Sequence, residues 1–111
     1  MKASIRQALT SLPAAPTARY PEGAPFVSVM ASGTMSVEVF APRGVDRQTP
    51  HAQDELYFVQ RGTGEIVING QRFDAAAGDA FFVAAHVEHR FENFSKDFVT
   101  WVVFYGPPGG E

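Results

Sequence analysis

The sequence predicts an all-β protein, either an antiparallel sandwich or a barrel, with a short helix and an extended arm in front of it. Short β-type runs recur at regular spacing through most of the chain and are separated by Gly-bearing turns, a pattern typical of both architectures. The chain has 111 residues, of which 45% are hydrophobic. This length and composition suit one folded domain and leave no room for two.

The first twelve residues predict a helix. Apolar side chains recur there at helical spacing, at Ile5, Ala8, Leu9 and Leu12. Ser4 is placed to cap this helix, and Pro13 to end it. The stretch that follows is rich in Pro and Ala, which excludes a central strand. We therefore expect residues 1–24 to form a short helix and an extended arm, which packs across the domain, packs onto a partner subunit or frays.

The β-domain is predicted to occupy residues 25–111. Its eight β-type runs cover residues 26–30, 35–40, 55–60, 65–68, 71–74, 80–83, 89–93 and 98–105. Asn69-Gly70 is the strongest hairpin signal, because both central residues of a type I′ turn need a positive φ. Residues 99–104 are apolar on both faces, so one face packs inside and the other needs a cover, either the arm or a second subunit.

Composition excludes several kinds of function. The net charge is −3 and no run of Lys or Arg occurs, which argues against nucleic-acid binding through a basic surface. The chain has no Cys, so disulfides, iron–sulfur clusters and Cys nucleophiles are excluded, and any metal must be held by nitrogen and oxygen ligands. No apolar stretch is long enough for a membrane span, and no secretory signal is recognisable. We expect a cytoplasmic protein without membrane or nucleic-acid partners.

Glu55 is the titratable residue that the strand pattern singles out. Period-2 alternation places Glu55, Tyr57 and Val59 on one face of their run, and the opposite face is apolar as well. Glu55 is therefore desolvated on either face, and an isolated buried carboxylate costs several kcal/mol or takes up a proton. It needs a cation nearby. His51 lies four residues earlier, within reach of the same side of a bulged strand.

Residues 44–62 resemble the first cupin motif, in which a Gly, an H-x-H pair, a Glu and a second Gly follow at set intervals. Glu55 and Gly62 match with six residues between them, and His51 matches the second His of the pair. Thr49 occupies the position of the first His, so one of the four metal ligands usual in the family is missing.

The segment from Gly78 to Asn93 resembles the second cupin motif. Its Gly, His and Asn correspond to Gly78, His89 and Asn93, whereas its Pro and its second Gly are replaced by Ala84 and His86. The resemblance covers most of the chain. It implies an RmlC-like cupin, which is a double-stranded β-helix or jelly-roll barrel, and it implies a homodimer.

The resemblance also implies a divalent metal site on His51, Glu55 and His89. Two imidazoles and a carboxylate with open positions are the set used by non-haem Fe(II) oxygenases, and Mn, Ni or Zn also accept such a set. Gln53 is an alternative neutral ligand, and Thr49 is placed to anchor a water in the vacant position.

Two aromatic residues are expected beside this site. Tyr57 follows Glu55 by two residues and Phe91 follows His89 by two, so each faces the barrel interior if the ligand before it does. There they either line a pocket for a small, partly apolar organic molecule or pack in the core.

Two functions of different classes are therefore predicted. The leading hypothesis is a metal-dependent enzyme of dioxygenase, isomerase or lyase type that acts on a small organic molecule. The alternative is a non-catalytic cupin module that binds a small ligand and no longer holds metal tightly. A third reading is a barrel with only a structural role in a larger assembly. The fold does not separate these, since one barrel hosts many chemistries.

Overall fold

The computed structural model describes all 111 residues, which form one short helix and eight strands. The helix is α1 (Ile5–Thr10). The strands are β1 (Phe26–Ser32), β2 (Met35–Phe40), β3 (Asp54–Arg61), β4 (Thr63–Ile68), β5 (Gln71–Ala76), β6 (Ala80–Val83), β7 (His89–Glu92) and β8 (Val99–Tyr105). The predicted all-β class is confirmed, and each strand begins and ends within two residues of its expected position. The structure contains no helix with the length and apolar character of a membrane span.

The strands form two antiparallel sheets. The larger has the order β1-β2-β8-β3-β6, and the smaller has the order β5-β4-β7. The chain passes from one sheet to the other four times, after β3, β5, β6 and β7. The two sheets face each other across one core, which is the jelly-roll arrangement of a double-stranded β-helix.

The turn between β4 and β5 is the predicted hairpin. Asn69 has φ 49° and Gly70 has φ 80°, the positive values that a type I′ turn requires. The strands on either side pair from Ile68 with Gln71 to Thr63 with Ala76. The register of the smaller sheet therefore begins at this turn.

The core between the sheets is built from nine buried residues: Phe40, Tyr57, Val59, Ile66, Ala75, Val83, Phe91, Phe98 and Val102. Strand β3 shows how alternation selects them, since Tyr57 is 1% exposed whereas its neighbour Phe58 is 42% exposed. The Phe91 ring is central, with its centroid 5.0 Å from that of Tyr57 and 5.1 Å from that of Phe98. The face of β3 that carries Glu55, Tyr57 and Val59 is therefore the inward one.

Helix α1 covers part of the outer face of the larger sheet. The Ser4 hydroxyl accepts a hydrogen bond from the Gln7 amide at 3.1 Å and caps the helix as predicted. Ile5 and Ala8 are buried in a second cluster with Val39 of β2 and Val99 of β8. The helix therefore supplies part of the cover that the doubly apolar last strand needs.

The arm between α1 and β1 folds back across the domain. Tyr20 is 4% exposed, and its hydroxyl accepts a hydrogen bond from the Arg47 amide at 2.9 Å. The Arg47 guanidinium pairs with Glu22 at 2.6 Å and lies 5.6 Å from the centroid of the Tyr20 ring. The arm therefore packs across the domain, which is one of the three placements that the sequence leaves open.

Candidate metal centre

Three titratable residues meet inside the barrel. Glu55 lies on β3 and His89 begins β7, so they come from different sheets, while His51 lies in the loop before β3. One ligand atom from each lies within 4.8 Å of the others. Because metal–ligand bonds to His and carboxylate are about 2.1 Å long, neighbouring ligands of one ion are about 3.0–3.4 Å apart. The three groups therefore surround one point but would have to move closer together to hold one ion.

The Glu55 carboxyl is bonded at one oxygen and unpartnered at the other. Its Oε1 lies 2.8 Å from Nε2 of His89. Its Oε2 is buried and has no hydrogen-bond partner. Water does not reach it either, since Glu55 is only 1% exposed. A buried unsatisfied oxygen costs free energy. This oxygen is free to accept a bond from a metal or another ligand.

His89 has acceptors at both ring nitrogens. Nδ1 lies 2.8 Å from the Val87 carbonyl, and Nε2 lies 3.1 Å from Oε1 of Gln48 as well as near Glu55. Burial is the largest single influence and lowers the pKa of His89, but the hydrogen bond and charge of Glu55 and the Val87 carbonyl outweigh it, so the pKa is raised. Nδ1–H donates to Val87 and Nε2–H donates to Glu55, so a metal at Nε2 would replace that proton while the Nδ1–H bond keeps the ring oriented.

His51 is half-buried at the edge of the cluster. Its carbonyl accepts a hydrogen bond from the His86 amide at 2.7 Å. Its ring packs edge-on against Phe104, with centroids 4.8 Å apart, and lies 5.6 Å from the His89 ring. Burial lowers the pKa of His51 more than the charge of Glu55 raises it. The ring is therefore neutral at pH 7, the form that binds a metal.

Asp46 and Gln48 support this cluster, and neither was predicted. Asp46 is 4% exposed and accepts from the Phe91 amide at 2.8 Å and from the Gln48 side chain at 2.6 Å. Gln48 Oε1 in turn accepts the Tyr57 hydroxyl at 2.8 Å and contacts His89. Both residues lie in a loop that has no hydrophobic period, so no sequence pattern singles them out.

A cavity of about 110 Å³ leads to His51. It is lined by Arg19, Tyr20, Phe26, Glu38, Phe40, Gln48, His51, Tyr57, Val102 and Phe104. Burial raises the pKa of Tyr57 well above its ordinary value, so its phenol stays protonated and donates to Gln48. Tyr57 thus lies on the wall of this cavity and also belongs to the core between the sheets, so it combines the two placements that the sequence leaves open.

Two other candidate residues lie elsewhere. The Gln53 amide donates to the carbonyls of Thr34 and Gly106, both at 2.9 Å, because Gln53 precedes β3 and points to the end of the sheet. Phe91 packs in the core and does not line the cavity, and its ring contacts that of Tyr57, which does. Thr49 is exposed; its neighbour Gln48 provides the polar side chain at this end of the cluster.

His86 replaces the second glycine of the motif and keeps a glycine-like backbone. Its φ is 66°, in the left-handed region that side chains other than Gly and Asn seldom adopt. Its side chain is exposed and lies outside the cluster of ligand atoms. The preceding loop is fixed by Asp54, which accepts from the Ala85 amide at 2.9 Å and the Glu111 amide at 3.1 Å.

The comparison with known families agrees with this geometry. The Cupin domain model matches residues 36–105, which span β2 to β8 and contain all three clustered residues. The chain belongs to the cupin family. An uncharacterized protein of Streptomyces coelicolor is 36% identical to this cupin over 84 residues, which cover 74% of this chain and 80% of that protein.

A second relative is a much longer protein. The HTH-type transcriptional activator RhaS of Yersinia pestis is 31% identical over 77 residues, or 69% of this chain. This cupin spans only 28% of the length of that activator. The match is therefore to one part of a larger regulator.

Solved structures share the fold at low sequence identity. A Cupin 2 conserved barrel domain protein from Salinispora arenicola superposes with a TM-score of 0.63 at 19% identity, covering 73% of this chain and 74% of that chain. The DMSP lyase DddQ from Ruegeria pomeroyi superposes with a TM-score of 0.63 at 20% identity, covering 73% of this chain and 46% of that chain. These similarities establish the barrel fold.

Proposed function

We propose that this cupin holds a divalent metal ion on His51, Glu55 and His89 and is a metal-dependent enzyme acting on a small organic molecule. The observation that carries the proposal is the cluster of His51, Glu55 and His89, whose ligand atoms lie within 4.8 Å of one another and in which the buried Oε2 of Glu55 has no hydrogen-bond partner. Two nitrogen ligands and one carboxylate suit Fe, Mn, Ni or Zn. Such an ion, when bound, supplies Lewis-acid activation of a substrate oxygen or of water.

The chain's own groups prepare the site for this chemistry. The Val87 carbonyl orients the His89 ring through Nδ1, and Asp46 holds Gln48 where it contacts both His89 and Tyr57. The cavity beside His51 gives a small molecule access and surrounds it mainly with apolar side chains. Dioxygenase, isomerase and lyase reactions all fit this site, and the DMSP lyase of similar fold supports the last class.

The alternative is a non-catalytic module that binds a small ligand. The similarity to RhaS favours it, because that protein is a transcriptional activator and is matched over only part of its length. Both functions use the same cavity. They differ in whether the bound molecule is converted.

The proposed metal site is tested by titrating metal-free protein with Co²⁺ and following its visible absorption. Wild type is expected to bind about one ion per chain. Removing a partner that only orients a ligand lowers metal affinity roughly 10–100-fold, so Glu55→Gln, which removes a ligand itself, should lower the Co²⁺ affinity by more than that. His86→Ala is the matched control, since its ring is exposed outside the cluster. Wild-type affinity in Glu55→Gln would contradict the ligand set.

The enzyme and the binding module are separated by incubating Fe-, Mn-, Ni- and Zn-loaded protein with a panel of small phenols and keto acids. An enzyme consumes at least one compound, with or without uptake of oxygen, and Glu55→Gln does not. A binding module returns every bound compound unchanged, as measured by NMR of the recovered ligand. That result would replace the enzyme with the alternative.

A further inference from the structure

Two unpaired charges of opposite sign line the cavity beside His51. Arg19 belongs to the arm and Glu38 belongs to β2, and both lie on the cavity wall. The ion pairs of the molecule include neither side chain, and neither side chain makes a hydrogen bond within the chain. Arg19 is exposed to solvent, whereas Glu38 is half-buried without a partner, which is an unfavourable setting for a carboxylate. Because both side chains line one cavity, a single ligand is able to meet both.

Glu38 faces the barrel interior. It lies two residues before Phe40, which belongs to the core between the sheets, whereas Val37 and Val39 face the opposite side of β2. Its register partner on β8 is the core residue Val102. Its carboxyl is half-buried, and burial together with the charge of Glu55 raises its pKa. The unfavourable placement of this acid is typical of a functional group.

Arg19 is held at the mouth of the cavity by the arm. Its carbonyl accepts from the Arg47 guanidinium at 3.4 Å, and the adjacent Tyr20 hydroxyl accepts from the Arg47 amide. The Arg19 side chain itself is free of partners, yet its charge is close enough to lower the pKa of His51. A guanidinium presents a fork of donors that matches a carboxylate.

The rest of the wall is apolar and the space is small. Six lining residues are hydrophobic or aromatic without a charge: Tyr20, Phe26, Phe40, Tyr57, Val102 and Phe104. The volume of about 110 Å³ lies below the roughly 300 Å³ at which pockets for drug-sized ligands begin. The ligand is therefore small, and most of its surface is apolar.

We propose that the cavity binds a small, largely apolar carboxylic acid that carries a hydroxyl group, with its carboxylate on Arg19 and its hydroxyl donating to Glu38. This rests on the proposed function and deepens it, because it names the chemical class of the molecule brought to the metal centre. The opposite signs of the two groups also orient the ligand, since a carboxylate placed against Glu38 would be repelled.

The test uses three probes of one size: 3-hydroxybenzoate, 3-hydroxybenzamide and benzoate. Calorimetric titration of purified wild type is expected to give a Kd for 3-hydroxybenzoate about 10-fold lower than for either analogue. Arg19→Gln should abolish the preference for acid over amide, and Glu38→Met should abolish the preference for the hydroxylated acid over benzoate. Arg90→Gln, an exposed change on β7, should leave both preferences intact.

Equal affinity for the acid and the amide in wild type would overturn the proposal, as would a preference that survives in Arg19→Gln. Failure of all three probes to bind at their solubility limits would overturn it too. Arg19 is exposed, so its variant does not depend on repacking the core. Co²⁺ titration of wild type keeps the two proposals distinguishable: Co²⁺ binding without a preference for the acid refutes only the ligand class, whereas absent Co²⁺ binding refutes the metal site.

Discussion

His86 has a strained backbone conformation, and its side chain makes no contact that compensates for the strain. Its φ of 66° belongs to the left-handed region, where a Cβ costs about 1 kcal/mol, and its exposed ring makes no hydrogen bond. Its amide nonetheless positions the loop of His51 through the bond to the His51 carbonyl. A residue without a Cβ would keep that amide in place at a lower conformational cost.

His86→Gly is therefore expected to raise the free energy of unfolding by up to about 1 kcal/mol. The substitution removes the cost of the left-handed conformation, but a Gly also gives the unfolded chain more entropy, which offsets part of the gain. Urea unfolding of metal-free protein measures this. His86→Ala removes the ring but keeps the Cβ, so it should give no gain. A gain of equal size in His86→Ala would show that the ring, and not the backbone, is the source.

Glu38 makes stability depend on pH in a direction that its raised pKa determines. Burial and then the charge of Glu55 raise that pKa above its ordinary value of 4.5, while Arg19 and His51 lie on the same cavity. The folded state thus holds this proton more tightly than the unfolded chain. The stabilising contribution is full below pH 4.5 and is lost as pH rises through the pKa of the folded state.

Glu38→Gln, which stays neutral, is expected to have a higher free energy of unfolding than wild type at pH 7. This advantage should shrink as pH falls toward about 4, where the wild-type carboxyl is protonated. Urea unfolding at several pH values measures it, with the exposed Glu88→Gln as the control. An advantage that is constant with pH would refute the electrostatic explanation.

At the scale of elements, α1 and the arm act as covers for different parts of the barrel. The helix packs Ile5 and Ala8 on Val39 and Val99, on the outer face of the larger sheet. The arm closes one end of the cavity with Tyr20. The short helix is marginal on its own and depends on this packing.

Ile5→Ala is expected to lower the free energy of unfolding by about 2 kcal/mol, the lower end of the range for such truncations, because Ile5 is 8% exposed. The barrel core does not include this residue, so far-UV circular dichroism should remain that of the folded β-protein. Gln7→Ala is an exposed control on the same helix. A loss below about 0.5 kcal/mol would mean that the helix does not stabilise the sheet.

At the scale of the whole molecule, one part of the larger sheet stays uncovered. Phe58 is 42% exposed and Phe82 is 51% exposed. They continue two apolar rows across the sheet, in which Phe58 pairs with Trp101 and Phe82 pairs with Leu56. Contiguous exposed apolar surface of this kind marks association sites. We propose that a second copy of the chain covers it, as the homodimer prediction requires.

Wild type is expected to elute as a dimer in size-exclusion chromatography with light scattering, and the double variant Phe58→Glu, Phe82→Glu as a monomer. The reason is that buried unpaired carboxylates oppose association by several kcal/mol. Val45→Glu, in a loop where Val45 is 48% exposed, should leave the dimer intact. A monomeric wild type across the micromolar range would contradict the dimer.

The strands were predictable because their signals act over a few neighbouring residues. Asn69 and Gly70 adopt the positive φ values that their turn needs, and alternation along β3 buries Tyr57 while Phe58 stays exposed. The candidate metal centre was predictable in part, since Glu55 and His89 have the spacing of the cupin motifs. The structure places Gln53 away from the cluster and Phe91 in the core, the second of its two expected places, because side-chain neighbours across sheets do not follow from spacing alone.

By itself the sequence determined the helix cap, the eight strands and the hairpin, because these depend on local backbone preferences and on burial of one strand face. Only the tertiary structure decided that Gln48 contacts His89 and that Arg19 and Glu38 share one cavity. These residues lie in loops, in the arm or on separate strands, and the closing of two sheets into a barrel is what brings them together.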